Sequence, residues 1–178
     1  MGFILGIDPG VSGALALLTE GGALLSVHDM PVTEAVIGKT KRRRVAPVLL
    51  ARLMRELAPD TVAIEQVQPM PRRKAKGDAE GGAGGGSGAL SAFGLGRSLG
   101  VVEGVVAGLA LPIVSSHPAT WKRAMQLTSD KERSRQRALE LWPAQANLFA
   151  RKKDADRAEA ALLGLYMLRV MQRGTVAA

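Results

Sequence analysis

The sequence predicts an α/β fold in which a mixed five-stranded sheet is flanked by helices. Three observations carry that expectation. Short apolar runs at the N-terminus are separated by tight Gly turns, as in an antiparallel meander. Helical and strand periods then alternate. The last third of the chain is helical throughout.

The elements follow in order. Residues 3 to 8 and 13 to 18, in Phe3 and the ILGIDPGVSGALALL that follows it, read as two buried strands around a Pro-Gly turn. ALLSVHDM, residues 23 to 30, makes a third strand after Gly21-Gly22. KTKRRR, residues 39 to 44, reads as an exposed basic loop. Val48, Leu49, Leu53, Met54 and Leu57 recur at helical spacing, so 46 to 57 is predicted as a helix. TVAIE, 61 to 65, is a short apolar strand ending in an acid. Residues 67 to 88 read as one flexible loop: a basic half, QPMPRRKAK, and a half in which seven of twelve residues are Gly. Residues 89 to 110 form an apolar helix, and Gly94, Gly96, Gly100, Gly104 and Gly108 suggest a face packed tightly on a neighbour. PIVSS, 112 to 116, is a final strand, followed by helices near 118 to 126, 130 to 141 and 155 to 172. Neither a repeat nor a second-domain boundary is visible, so residues 1–178 read as a single domain. Element order, a meander followed by αβαβα, resembles the ribonuclease H-like arrangement.

Composition narrows the function classes. Apolar residues make up 47% of the chain, against disorder, and the absence of Cys excludes thiolate metal sites and disulfides. No basic leader with a long apolar stretch and no run of about 18 apolar residues is seen, so a cytoplasmic protein with no membrane span is expected. Net charge is +8, from 24 Lys and Arg against 16 Asp and Glu. Eleven of the bases fall between Lys39 and Lys76, and nine more between Lys122 and Lys153. Clustering of this kind points to a polyanion, above all nucleic acid. Trp121 and Trp142 read as core residues, and GLGRSLG, 94 to 100, reads as helix because no strand directly precedes it.

The acids carry the chemistry. Asp8 ends the first strand and Glu65 ends TVAIE. On neighbouring strands, both would emerge at the same sheet end, where sites collect. Each alone is equally readable as a helix cap or the partner of an Arg. Asp156 and Glu159, in RKKDADRAEAALLGLYML, are spaced i, i+3 and share a helix face near its N-terminus. The helix dipole favours acids there without any catalytic role. Asp154 reads as the helix N-cap, and whether it or Glu159 completes a cluster stays open. Four converging carboxylates would repel one another unless a divalent cation resolved the conflict, and oxygen ligands suit Mg²⁺ or Mn²⁺. Two such ions about 3.5–4 Å apart suit phosphodiester cleavage.

ILGIDPG at 4 to 10, AIEQV at 63 to 67 and DRAEA at 156 to 160, in this order, resemble the RuvC family of Holliday junction resolvases, and HPATWKRAMQLTSDKERSRQRALEL at 117 to 141 is similar in its layout of bases. The resemblance implies a ribonuclease H-like fold, a homodimer, and paired symmetric nicks at a four-way DNA junction that leave 5′-phosphates. It implies an acidic tetrad of Asp8, Glu65, Asp156 and Glu159 holding two Mg²⁺ ions, with Mn²⁺ able to substitute. It also implies Lys122 and Lys131 as phosphate-facing bases, in a bacterial cell or a phage-infected host. The chain departs from the bacterial pattern in three ways. Glu159 stands where the bacterial enzymes have Asp. No aromatic wedge follows the strand-end acid, where Met70 is the available apolar group. The Gly-rich insertion resembles the phage-type relatives. Charge clustering nominates Lys41, Arg42, Arg43, Arg72, Arg73, Lys74 and Lys76 as further DNA contacts.

Three other readings remain. A ribonuclease H-like nuclease acting on other branched DNA or on RNA–DNA hybrids is the hardest to separate. A non-catalytic junction-binding protein fits the bases but not the acids. An actin-like phosphotransferase fits Asp8, Gly10 and Gly13, but those proteins duplicate the fold over a longer chain. Partner motor proteins are not legible.

Overall fold

The computed structural model describes residues 2–37, 40–66 and 85–176 of the chain. A five-stranded sheet has the order β3-β2-β1-β6-β7. Its strands are β1 (Phe3–Ile7), β2 (Ala14–Thr19), β3 (Leu24–Asp29), β6 (Thr61–Glu65) and β7 (Ile113–Ser116). The first three form the expected antiparallel meander, whereas β6 runs parallel to both β1 and β7. The sheet is therefore mixed, as the sequence predicts.

Strand periodicity explains the two cores. Residues alternate across the sheet, so a strand covered on both faces must be apolar throughout. On β1 and β2, Leu5, Ile7, Leu15 and Leu17 face α1 (Pro47–Leu57) and α2 (Gly85–Gly108), meeting Leu50, Met54, Val102 and Val106. Ile4, Ala14, Ala16 and Leu18 face the other way, against α3 (Pro118–Ala124), α4 (Lys131–Leu141) and α5 (Ala155–Val176). This second face is lined with small residues, and α5 answers with Ala158, Ala160 and Ala161. Helix and sheet consequently approach very closely. A Cβ on Gly6 would clash with the Ala160 carbonyl oxygen and lie within 2.9 Å of the Gly164 nitrogen, and one on Gly164 would meet Leu18 at 2.8 Å.

Three expectations are corrected. The basic segment is not a loop: Thr40–Val45 is a strand, β5, paired antiparallel with β4 (Val32–Ile37) in a separate two-stranded sheet. Its run of charges hides it because an exposed hairpin has no apolar face to reveal its period. Helix α2 begins at Gly85, not at 89, so the Gly-rich stretch runs into it; the rest of the expected loop, 67 to 84, lies outside the described residues. The α2 glycines are not packed: a Cβ at Gly94, Gly96, Gly100, Gly104 or Gly108 would meet nothing within 4 Å. By length and composition alone, Leu90–Gly108 matches a membrane-spanning helix, which is weak evidence by itself and does not mark the chain as a membrane protein.

Candidate active site

Three elements deliver the acids to one end of the sheet. The parallel register pairs Ile7 with Ile64, so Asp8 and Glu65 leave neighbouring strands side by side. The turn after β1 is fixed by Asp8 N donating to Ala14 O at 3.0 Å and Gly13 N donating to Gly10 O at 2.9 Å. Gly13 passes so close to the Asp8 carbonyl that no side chain fits there. Gly10 N donates to Asp8 Oδ1 at 3.2 Å, which holds the carboxylate over the turn. Helix α5 crosses the sheet with its N-terminus at the same end, and its first turns carry Asp156 and Glu159.

Carboxylate oxygens of Asp8, Asp156 and Glu159 lie within 4.8 Å of one another. Glu65 stands beside this trio, lining the same groove, and its Oε1 accepts from Trp121 Nε1 at 2.9 Å. Glu159, 7% exposed, accepts from Lys122 Nζ at 2.6 Å and from Ser134 Oγ at 3.0 Å, both at Oε1. Lys131 Nζ pairs with Asp156 Oδ1. Lys122 also lies 5.3 Å from the centre of the Trp121 ring. The two lysines and four acids therefore form one charge network.

The electrostatics follow from crowding. Burial raises the Asp8 carboxyl to about 6; the Gly10 amide opposes this, while Asp156 adds to it. Glu65 is also raised by burial, against the opposing Trp121 hydrogen bond. Burial would lower the Lys131 ammonium, but its hydrogen bond to Asp156 and the surrounding acids outweigh that and raise it. Two acids that hold their protons more tightly than free carboxyls, beside two others, mark a site built for compensating positive charge. Three convergent carboxylates with a fourth adjacent are a hard-oxygen donor set of the kind that takes a divalent cation, so the residues fit such an ion.

Asp154 is not part of the cluster, nor is it the N-cap. It is the third residue of a 3₁₀ turn, Lys152–Asp154, capped by Arg151. Its carboxylate accepts from Arg151 N at 2.8 Å and from Arg151 Nη2 at 2.7 Å. These bonds hold it below the ordinary carboxylate range. Arg157 extends the network to Asp29 on β3, at 2.6 Å, and so ties the start of α5 to the sheet.

The acids form the floor of a groove of about 850 Å³. One wall is the β4–β5 hairpin, contributing Arg42, Arg43 and Arg44, and Arg43 Nη2 donates to Val11 O at 3.2 Å. The other wall is the first half of α2, with Leu90, Phe93, Leu95 and Arg97. Lys41 lies outside the groove lining and pairs with Glu34 at 3.6 Å. Arg72, Arg73, Lys74, Lys76 and Met70 lie outside the described residues. Sequence reasoning missed Arg44, Arg97, Phe93 and the bond from Trp121 to Glu65; Arg44 belongs to the basic segment and Arg97 to GLGRSLG, which reads only as helix.

No family model matches the chain. No curated protein matches it either. Among solved structures it is similar to T. thermophilus RuvC in complex with a Holliday junction substrate, at 16% identity over 96% of each chain and a TM-score of 0.55. It is also similar to the Thermus thermophilus RuvC structure, at 15% identity over 95% of this chain and 96% of the other, with a TM-score of 0.50. The fold is RuvC-like, the ribonuclease H-like arrangement of a mixed sheet with flanking helices.

Proposed function

We propose that the chain is a metal-dependent endonuclease that resolves four-way DNA junctions by paired symmetric nicks. The observation that carries this reading is the convergence of Asp8, Glu65, Asp156 and Glu159 on the floor of an arginine-walled groove. An anionic floor in a basic groove makes sense when a phosphate backbone must be drawn towards bound cations. The solved junction complex of a protein sharing the fold supports branched DNA as the substrate.

In this reading the four acids hold two Mg²⁺ ions, or Mn²⁺ in their place. When bound, the ions supply Lewis acidity to the scissile phosphate and acidify the attacking water. The chain's own groups do the rest. Gly10 N and Trp121 Nε1 hold Asp8 and Glu65 in place. Ser134 does the same for Glu159. Lys122 and Lys131 neutralise Glu159 and Asp156 and, turned into the groove, face the phosphate. Water adds to phosphorus, the bond to the 3′ oxygen breaks, and the products are a 5′-phosphate and a 3′-hydroxyl. Arg42 and Arg43, with Lys41 at the hairpin edge and Arg72, Arg73, Lys74 and Lys76 in sequence, are assigned to the phosphate backbone. Paired nicks on a two-fold substrate require two sites, hence a homodimer.

A side-by-side cleavage panel of four-way junction, flap, RNA–DNA hybrid and linear duplex, with Mg²⁺, tests this. The junction should be cut preferentially and symmetrically. Asp8→Asn and Glu65→Gln should lower cleavage by about 1000-fold or more, the scale of a lost electrostatic group at a reaction centre, while junction binding persists. Preferential cutting of the hybrid would move the substrate to that class. Normal cleavage by either variant would overturn the site.

A further inference from the structure

Arg157 lies between Asp156 and Glu159 in sequence, yet its guanidinium meets a different set of partners. Nε donates to Asp29 Oδ1 at 2.6 Å and Nη2 to Asp29 Oδ2 at 2.8 Å, a bidentate pair. Nη1 lies 3.5 Å from Leu148 O, in the 3₁₀ segment Pro143–Phe149, and 3.8 Å from Asp154 Oδ1. Asp29 is the last residue of β3 and stands opposite Ala14 in the antiparallel register. Ala14 O accepts the Asp8 amide at 3.0 Å, and Met30 N, next after Asp29, donates to Gly13 O at 2.9 Å. One ion pair therefore joins the first turn of α5, with its two acids, to the strand end that supports Asp8.

The close approach of Gly6 and Gly164 seats α5 on β1, but a single contact is also a pivot. Gly164 lies seven residues beyond Arg157, about 10 Å along the helix, so a tilt of about 6° around that contact displaces the acid-bearing turn by roughly 1 Å. Between the two points the helix presents Ala158, Ala160 and Ala161, short side chains that permit close approach but interdigitate little. The pair itself adds little to stability. Asp29 is 71% exposed against 19% for Arg157, and an ion pair so open to water is a weak brace. Asp154, which is buried, keeps its bonds to Arg151 whether or not Arg157 is present. What the pair controls is where the turn sits.

We propose that the Arg157–Asp29 pair is a positioning clamp: it sets the spacing of Asp156 and Glu159 from Asp8, and through that spacing the affinity of the acid cluster for a divalent cation. Arg157 is a positioning residue that acts through its two neighbours. The proposal deepens the metal-dependent reading and rests on it for the location of the cation. The sign of the effect separates a clamp from a charge. Arg157 is a cation near a cation site, so by Coulomb's law alone its neutralisation tightens divalent binding. As a clamp, its loss weakens that binding.

The test measures Mn²⁺ binding to the full chain without DNA, from the electron paramagnetic resonance signal of the free ion, beside the thermal midpoint of the metal-free protein. Asp8→Asn locates the site and should weaken Mn²⁺ binding. Arg157→Gln should weaken it about tenfold, the lower end of what a lost supporting residue costs a metal site, with the thermal midpoint almost unchanged. Asp29→Asn, at the exposed end of the pair, should do the same. The double variant should lose no more than either single one, since both break one interaction. Arg157→Lys, which keeps the charge but not the bidentate fork, should fall between wild type and Arg157→Gln. Unchanged or tighter Mn²⁺ binding by Arg157→Gln overturns the clamp and leaves the metal site standing. Additive losses in the double variant, or a large fall in thermal midpoint shared by Asp29→Asn, overturn it as well, the latter by making the pair a structural brace. Equal binding by wild type and Asp8→Asn sinks the metal-site reading itself, and the clamp with it.

Discussion

Two sets of glycines serve opposite ends in this molecule. Gly6 and Gly164 face one another where α5 crosses β1, and neither has room for a methyl group. Gly94, Gly96, Gly100, Gly104 and Gly108 lie along α2, and a methyl group on any of them would meet nothing within 4 Å. The first set is a condition of the site: it lets the helix carrying Asp156 and Glu159 come down onto the strand that ends beside Asp8. The second set leaves a helix face open along one wall of the groove. A glycine is therefore informative only with its neighbours known, since the same absent side chain means contact in one place and space in the other.

The sharpest break in this comparison is Gly6→Val. The clashing atoms would be the Ala160 carbonyl oxygen and the Gly164 backbone, which cannot turn aside as a side-chain tip can. We expect destabilisation at or above the roughly 3 kcal/mol upper end of ordinary overpacking, measured by denaturant unfolding. Where the protein still folds, α5 is lifted off the sheet and metal-dependent cleavage is lost with it. A Gly6→Val protein with wild-type stability and cleavage would show that the close approach is not what assembles the acids.

The next effect concerns charge instead of space. The Asp8 carboxyl is raised from 3.8 to about 6 by burial in the crowded site. In the metal-free protein, the native state keeps a proton that the unfolded chain releases between these values. Stability therefore falls as pH rises from about 4 to about 6, and the full penalty persists above that. The shift corresponds to at most about 3 kcal/mol, and solvent in the groove reduces it to the order of 1–3 kcal/mol. Asp8→Asn should therefore be more stable than the wild type at pH 7.5 without metal, with the gap closing below pH about 4. Added Mg²⁺ should stabilise the wild type and leave the variant nearly unchanged. Equal stability at pH 7.5 would mean that the site carries no such strain.

Much of the acid end was legible in the sequence, and the groove walls were largely not. Asp8 and Glu65 could be placed because each closes an apolar strand, and Asp156 and Glu159 because i, i+3 spacing fixes a helix face. Those are local rules, and the parallel register of β1 with β6 supplied the rest. The β4–β5 hairpin was hidden because TKRRRV has no apolar alternation to mark a strand, and its pairing with VTEAVI is visible only in space. Trp121 reads as core from its neighbours, and it is core. Its bond to Glu65 spans 56 residues, a separation for which sequence offers no signal. The α2 glycines misled because periodic small residues look alike whether or not anything covers them.

The open face invites the smallest test and the one with the opposite sign. Gly104→Ala adds a methyl group where nothing stands within 4 Å, in the interior of a helix. With no contact to disturb, the helix propensity difference is all that remains, and it favours Ala by about 0.5–1 kcal/mol. The variant should therefore unfold at slightly higher denaturant concentration, with an unchanged slope and unchanged cleavage. A loss of stability that grows with protein concentration would mean instead that a second chain sits against this face in solution. In that case both glycine sets would serve close approach, one within the chain and one between chains, and the contrast drawn from the monomer would not survive assembly.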